Sequence, residues 1–269
     1  MLIYVINQFI VKFSIKQNFQ SQLDILSNQI QPEKVQMEQN NINPNRGLKA
    51  VVLGSTGAIG RVLVRELCSN KKWVEVSVIV RRKLNEWNNI QGFEKLKIIE
   101  VGSLDELQET EKWVQFRNYD SFFCTLGSRT KEGKDQFFKV DYTYCFWGAQ
   151  IAEHNKIPHF SLLSSVGANA KSMFLYTKTK GQIEQAIKDL NFRYYSIFQP
   201  GFLRNRDNDS RCIEKFFQYC CCCCGPSIES VDCARAMIME AEERFSSSSE
   251  QFDRIITYTN AQMNSIAKN

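Results

Sequence analysis

The sequence predicts an α/β fold, a doubly wound parallel sheet with helices on both faces. Two observations predict it. From Gly47 onward, short apolar runs alternate with stretches of helical periodicity, the pattern of strands joined by crossover helices. A glycine-rich turn also separates the first run from the first helix. Right-handed crossovers then wind the chain to both sides of the sheet and leave a ligand crevice at the carboxyl ends of the strands.

Leu48–Leu53 is an apolar run stopped by Gly54 and reads as a buried strand. Gly60–Cys68 carries Val62, Leu63 and Leu67 at helical spacing. Val74–Val80 is β-branched and forms the second strand, and Lys97–Val101 the third. Leu104–Phe116 reads as a helix, Ser121–Thr125 as the fourth strand and Asp135–His154 as one long helix. Pro158 introduces the fifth strand, His159–Leu163. Tyr176–Asp189 is a further helix, and Arg193–Phe198 is the sixth strand, stopped by Pro200-Gly201. Val231–Arg244 is a last amphipathic helix.

Composition bounds the function. The 269 residues are 43% hydrophobic and 23% charged, ordinary for a globular chain. The net charge of +5 comes with no basic block, which argues against nucleic-acid binding. Ten cysteines without regular spacing point to free thiols in a reducing compartment. Five of them, Cys220 to Cys224, are consecutive. Adjacent ligands diverge, so no metal site is expected, and the run reads as a variable loop.

Residues 1–46 read as a disordered or loosely docked N-terminal extension, and residues 47–269 as the domain, ending in a small substrate or interaction region. Leu2 to Val11 is apolar but interrupted by Asn7 and Gln8, and is shorter than the roughly 20 residues of a membrane span. Gln17 to Asn45 is rich in Gln and Asn and reads as a linker, with a short helix around Leu23 to Ile30. The expected location is cytoplasmic. The mitochondrial alternative rests on a first stretch with Lys12 and Lys16 and no acid, though without the usual arginines.

The turn Gly54-Ser55-Thr56-Gly57-Ala58-Ile59-Gly60 lies between the first strand and the first helix. A pyrophosphate needs backbone N–H donors at a helix N-terminus, with no Cβ in the way. Gly54 supplies the tight turn, Gly57 the close backbone approach and Gly60 the helix–strand packing, while Ser55 and Thr56 add hydroxyls. Arg81-Arg82 follows the second strand, where an acid would select the ribose 2′-hydroxyl of NAD. Two arginines there suit the 2′-phosphate of NADP. Tyr176 and Lys180 stand four apart on one helix face. An ammonium beside a phenol stabilises the phenolate, which fits the tyrosine for proton transfer at a substrate oxygen. Ser164-Ser165 ends the fifth strand at the crevice edge, where a hydroxyl can hold a carbonyl.

These residues, with Cys124-Thr125-Leu126-Gly127, resemble the atypical short-chain dehydrogenase/reductase superfamily. Within it, Phe160 to Ser165, Phe174-Leu175-Tyr176, Lys180-Gly181 and Tyr195 to Phe198 before Pro200-Gly201 resemble the Tat-interacting oxidoreductase family of tumour-suppressor-like proteins. The resemblance runs from about Leu48 to Arg211. It implies a Rossmann fold holding NADPH. Thr56, Gly57, Ala58 and Ile59 would line the phosphates, Arg81 and Arg82 would meet the 2′-phosphate, and Leu126 and Gly127 would lie under the adenosine and ribose. Tyr176 would be the proton donor and acceptor. Lys180 would tune it and hold the nicotinamide ribose. Leu203 and Arg211 would reach the far side of the cofactor. The serine role fits Ser165, with Ser164 the alternative.

The chain departs from the family at Gln199, where an arginine precedes Pro-Gly, and at Val101-Gly102-Ser103, which lacks the usual acid. The implied function is an NADPH-dependent oxidoreductase acting on a carbonyl or alcohol substrate. The alternative is a regulator whose NADPH occupancy governs binding to transport or signalling proteins.

Overall fold

The computed structural model describes residues 46–204, 226–246 and 253–268. Seven parallel strands form the sheet: β1 (Leu48–Leu53), β2 (Trp73–Val80), β3 (Leu96–Glu100), β4 (Ser121–Cys124), β5 (His159–Leu163), β6 (Tyr194–Gln199) and β9 (Ile255–Thr259). Their order is β3-β2-β1-β4-β5-β6-β9. The chain winds outward from β1 through β2 to β3, then returns to place β4 on the other side of β1. The crevice where the winding reverses therefore opens at the carboxyl ends of β1 and β4. The expected doubly wound α/β sheet is what forms.

Alternation along the strands splits the core into two layers. Ala50 and Val52 of β1 face a layer built with α1 (Ala58–Ser69) and α5 (Ser230–Ser246). Val51 and Leu53 face the opposite layer, with α3 (Tyr144–His154) and α4 (Leu175–Lys188). In α1 the buried residues Ile59, Leu63, Val64 and Leu67 make one stripe, as helical spacing requires.

Several expectations are corrected. Leu104–Phe116 is not an α-helix but two 3₁₀ segments, Leu104–Gln108 and Thr110–Phe116. The apolar anchors Leu104, Leu107, Trp113 and Phe116 are spaced by multiples of three, which fits three residues per turn rather than 3.6. Trp113 and Phe116 stack at 5.9 Å. The long helix expected over Asp135–His154 is α2 (Lys134–Phe138), a π-helical turn (Lys139–Thr143) and α3 in succession. Periodicity also gave no sign of β9, of α6 (Asn260–Ile266), or of the small parallel pair β7 (Phe202–Arg204) and β8 (Ser227–Glu229).

Candidate cofactor and active site

The glycine turn has the geometry its sequence requires. Gly54 adopts φ +91°, and a Cβ there would stand 2.6 Å from the Thr125 carbonyl carbon, so β1 and β4 approach at their carboxyl ends. The Thr125 N–H donates to the Leu53 carbonyl at 2.8 Å. A Cβ on Gly60 would stand 2.2 Å from the Gly54 oxygen, so α1 starts pressed onto the turn. Gly57 differs, because a Cβ there would touch only the Gly54 oxygen, at 3.4 Å. The space above Gly57 is open, as a phosphate cradle needs. Thr56 and Gly57 are exposed, Ala58 is partly buried and Ile59 is core. The Ser55 hydroxyl is buried and has no hydrogen-bond partner among the described residues.

A cavity of about 520 Å³ adjoins the turn, lined by Thr56, Arg61, Arg81, Arg82, Leu84 and Gly102. Arg81 and Arg82 are exposed and form no ion pair among the described residues. Arg61, on the first turn of α1, was absent from the sequence reading. Its Nε donates to the Thr56 carbonyl at 3.0 Å and it pairs with Glu86 at 3.2 Å.

Lys180 lies at the carboxyl ends of β4 and β5, nearly buried, with its ammonium 2.8 Å from Asp141 Oδ1. Asp141 is fully buried on the π-helical turn. Its other oxygen accepts the backbone N–H and the hydroxyl of Ser128, each at 2.7 Å. Burial pulls the Lys180 pKa down, but Asp141 and then Tyr176 outweigh it and hold the ammonium above its ordinary value. A side chain on exposed Gly127 would lie within 3.9 Å of the Lys180 nitrogen and 3.7 Å of Asp141, so the bare glycine leaves this pair approachable. Beside it, Leu126 is partly buried.

Tyr176 is partly buried and its ring leans on buried Phe137, at 5.8 Å between centroids. The helix that carries both residues is fixed by the loop after β5. A Cβ on Gly181 would stand 2.2 Å from the Ala170 nitrogen, and the Asn169 N–H donates to the Thr177 carbonyl at 2.9 Å. This loop starts at Ser165, a partly buried residue whose hydroxyl turns to the Val166 carbonyl at 3.3 Å. Ser164 is buried and donates to the Glu184 carboxylate, which also receives the Gln199 amide at 2.9 Å. Gln199 thus takes part in holding Glu184.

Leu203 is partly buried on β7 and packs against the core. Arg211, Cys220 to Cys224 and residues 1–45 lie outside the described residues. Of the residues missed in the sequence, Asp141 had a usable signal. It falls on the buried stripe Phe137, Asp141, Cys145, Gly148, where an acid is costly unless paired.

A family model described as NAD(P)H-binding matches residues 54–218. The chain belongs to the NAD(P)H-binding family. Within it, the protein is 35% identical over 175 residues to Protein HTATIP2 of Rattus norvegicus, a match covering 62% of this chain and 69% of that protein. It is 36% identical over 172 residues to the mitochondrial Protein FMP52 of Lodderomyces elongisporus, covering 60% and 69%. Among solved structures it is similar to MoeE5 in complex with UDP-glucose and NAD, with TM-score 0.57, 14% identity and coverage of 78% and 75%. It is likewise similar to the UDP-glucose 4-epimerase of Thermotoga maritima, with TM-score 0.58, 12% identity and coverage of 82% of each chain. At that identity these neighbours establish the NAD(P)-binding Rossmann fold alone. The NAD(P)H-binding model begins at Gly54, the first glycine of the turn.

Proposed function

We propose that this NAD(P)H-binding protein is an NADPH-dependent oxidoreductase that reduces a carbonyl or oxidises an alcohol, with Tyr176 as proton donor and acceptor. The observation that carries this reading is the pair at the carboxyl edge of the sheet, a partly buried phenol and a buried ammonium one helical turn apart, beside an open glycine cradle. The residues fit a dinucleotide. The open space at Gly57 admits a pyrophosphate, and the unpaired guanidiniums of Arg81 and Arg82 supply charge for a 2′-phosphate. When bound, the nicotinamide supplies or accepts the hydride.

The chain's own residues handle the proton and the positioning. Lys180, kept charged by Asp141, lies within electrostatic reach of Tyr176 and offers N–H donors to a ribose hydroxyl. Tyr176 gives its proton to the developing alkoxide oxygen, or takes it from an alcohol. Ser165, at the mouth of the loop, orients that oxygen. Leu126 and Gly127 form the floor under the nucleoside.

The test is Tyr176→Phe. Turnover with NADPH on a panel of aldehydes and ketones should fall by about 10²–10⁴-fold while NADPH affinity stays within about twofold. Unchanged turnover would remove Tyr176 from the reaction.

A second reading, a cofactor-dependent binding protein, is favoured by two apolar side chains. Met173 is 98% exposed and Phe174 is 77% exposed, just before Tyr176 in sequence. In that case Tyr176→Phe retains cellular function, and Met173→Ser with Phe174→Ser loses it. For location, we favour the mitochondrial alternative over the cytoplasmic expectation, because the FMP52 relatives are named mitochondrial. No helix among the described residues is long and apolar enough to cross a membrane. Fractionation of cells expressing the full chain decides between the two compartments.

A further inference from the structure

The arginine-lined cavity holds more charge than the pair Arg81 and Arg82 accounts for. Arg61 is a third guanidinium on its wall, and its position is built. Its Nε is tied to the carbonyl of Thr56, a residue of the glycine turn, at 3.0 Å. The guanidinium is therefore held beside the turn, on the cavity wall. There its NH1 meets Glu86 at 3.2 Å, on the 3₁₀ segment Asn85–Asn89 that follows Leu84. Arg61 thus bridges the two walls between which the adenosine end of a dinucleotide would enter.

We propose that Arg61 is a third arm of the 2′-phosphate site and that Glu86 is its internal competitor, so that this pair sets the preference between NADPH and NADH. The inference rests on the NADPH reading above. The argument is one of charge and exposure. Arg61 and Glu86 side chains are 40% and 49% exposed, so their mutual attraction is screened and weak. A 2′-phosphate entering beside Arg81 and Arg82 brings nearly two negative charges and several acceptor oxygens. It outcompetes one carboxylate for the Arg61 fork. Glu86, just behind Arg61, also carries a charge that opposes a phosphate on that guanidinium. NADH, with a neutral 2′-hydroxyl, makes no such demand on Arg61 and leaves the pair closed. The Nε anchor is independent of Glu86, so Arg61 keeps its place when its partner changes.

Binding of the full-length protein to NADPH and NADH is measured by fluorescence titration, for the wild type and for Arg61→Gln, Glu86→Gln and the double variant. Adenosine 2′,5′-bisphosphate and 5′-AMP serve as fragments whose difference isolates the 2′-phosphate. Arg61→Gln should weaken NADPH about tenfold and leave NADH within about twofold. Glu86→Gln should tighten NADPH about threefold, a gain that misfolding cannot produce. The gain should vanish in the double variant, because it acts through Arg61.

Equal loss of both coenzymes in Arg61→Gln, or no loss of either, would overturn the proposal. So would a Glu86→Gln effect that survives without Arg61. Arg81→Gln with Arg82→Gln separates this failure from that of the underlying reading. If that variant loses NADPH selectively while Arg61→Gln does not, only the third arm falls. If neither changes the NADPH to NADH ratio, the phosphate site itself is wrong and the proposal falls with it.

Discussion

Two buried ion clusters sit at opposite edges of the same sheet, and they are built to different ends. At the amino edge, His159 lies under the strands with its Nδ1 at 2.9 Å from the Ser121 hydroxyl and its Nε2 at 3.1 Å from that of Ser196. Nε2 is also 3.3 Å from Glu240, which is held in turn by Arg244 at 2.7 Å and by Ser196 at 2.6 Å. All five side chains are almost fully buried. At the carboxyl edge, Lys180 pairs with Asp141 among the described residues, and its neighbours are a partly buried phenol and a bare glycine. The first cluster lies under the strands and ties α5 to the sheet. The second borders exposed Gly127 at the carboxyl edge. A buried charge is costly in either place, so access from the carboxyl edge, rather than the mere presence of charge, separates a site from a structural clasp.

Breaking the amino-edge cluster should give the largest effect on stability. Glu240→Ala leaves Arg244 and His159 without their carboxylate and should cost about 3–5 kcal/mol in chemical denaturation. The remaining folded protein should still bind NADPH. The same carboxylate also predicts an acid limb. Burial pushes the Glu240 pKa up, but His159, Ser196 and Arg244 outweigh it and hold it at about 2, against an ordinary 4.5. The folded state therefore binds fewer protons than the unfolded one in this range. The stability from Glu240 is complete above about pH 4.5 and drains away as pH falls toward 2. Urea midpoints measured across that range should fall with pH, and less steeply in Glu240→Gln.

The two glycines of the turn sharpen the contrast between scaffold and site. Gly60→Ala drives a methyl into the Gly54 carbonyl and should cost about 1–3 kcal/mol of stability, read by thermal unfolding. Gly57→Ala meets no such obstacle. It should leave the melting temperature nearly unchanged and weaken NADPH through the space it takes up. Equal stability losses in the two variants would refute the assignment of Gly57 to the ligand. The pair at the carboxyl edge is buried as well, so breaking it costs stability besides altering the site. Asp141→Asn removes the charge that keeps Lys180 raised against its burial. Urea denaturation should then show a loss of stability, and the Lys180 ammonium should lose its proton more readily than in the wild type.

Much of this was legible in the chain because its signals are local. Six strands and the glycine turn each declare themselves within a few residues. The turn's identity follows from where Gly54, Gly57 and Gly60 stand between β1 and α1. What escaped depends on distant partners or on an unfamiliar period. Trp113 and Phe116 looked helical until their three-residue spacing was set against the core. Asp141 sits among aromatics and gains its meaning only from Lys180, 39 residues on, by way of a π-helical turn that no periodicity foretells. Arg61 and Glu86 each pass as surface charges, and their pairing appears only when α1 and the segment after β2 are folded together. β9 was missed for a related reason. Ile255–Thr259 is half polar, and its place at the sheet edge beside β6 comes from pairing rather than from apolar content.

The most direct test of the central claim is a titration of the wild-type full-length protein with NADPH and with NADH, followed by fluorescence and thermal shift. The account predicts saturable binding of both, tighter for NADPH, with a preference that narrows as salt screens the exposed arginines. Absence of binding by either, or tighter binding of NADH, would contradict it.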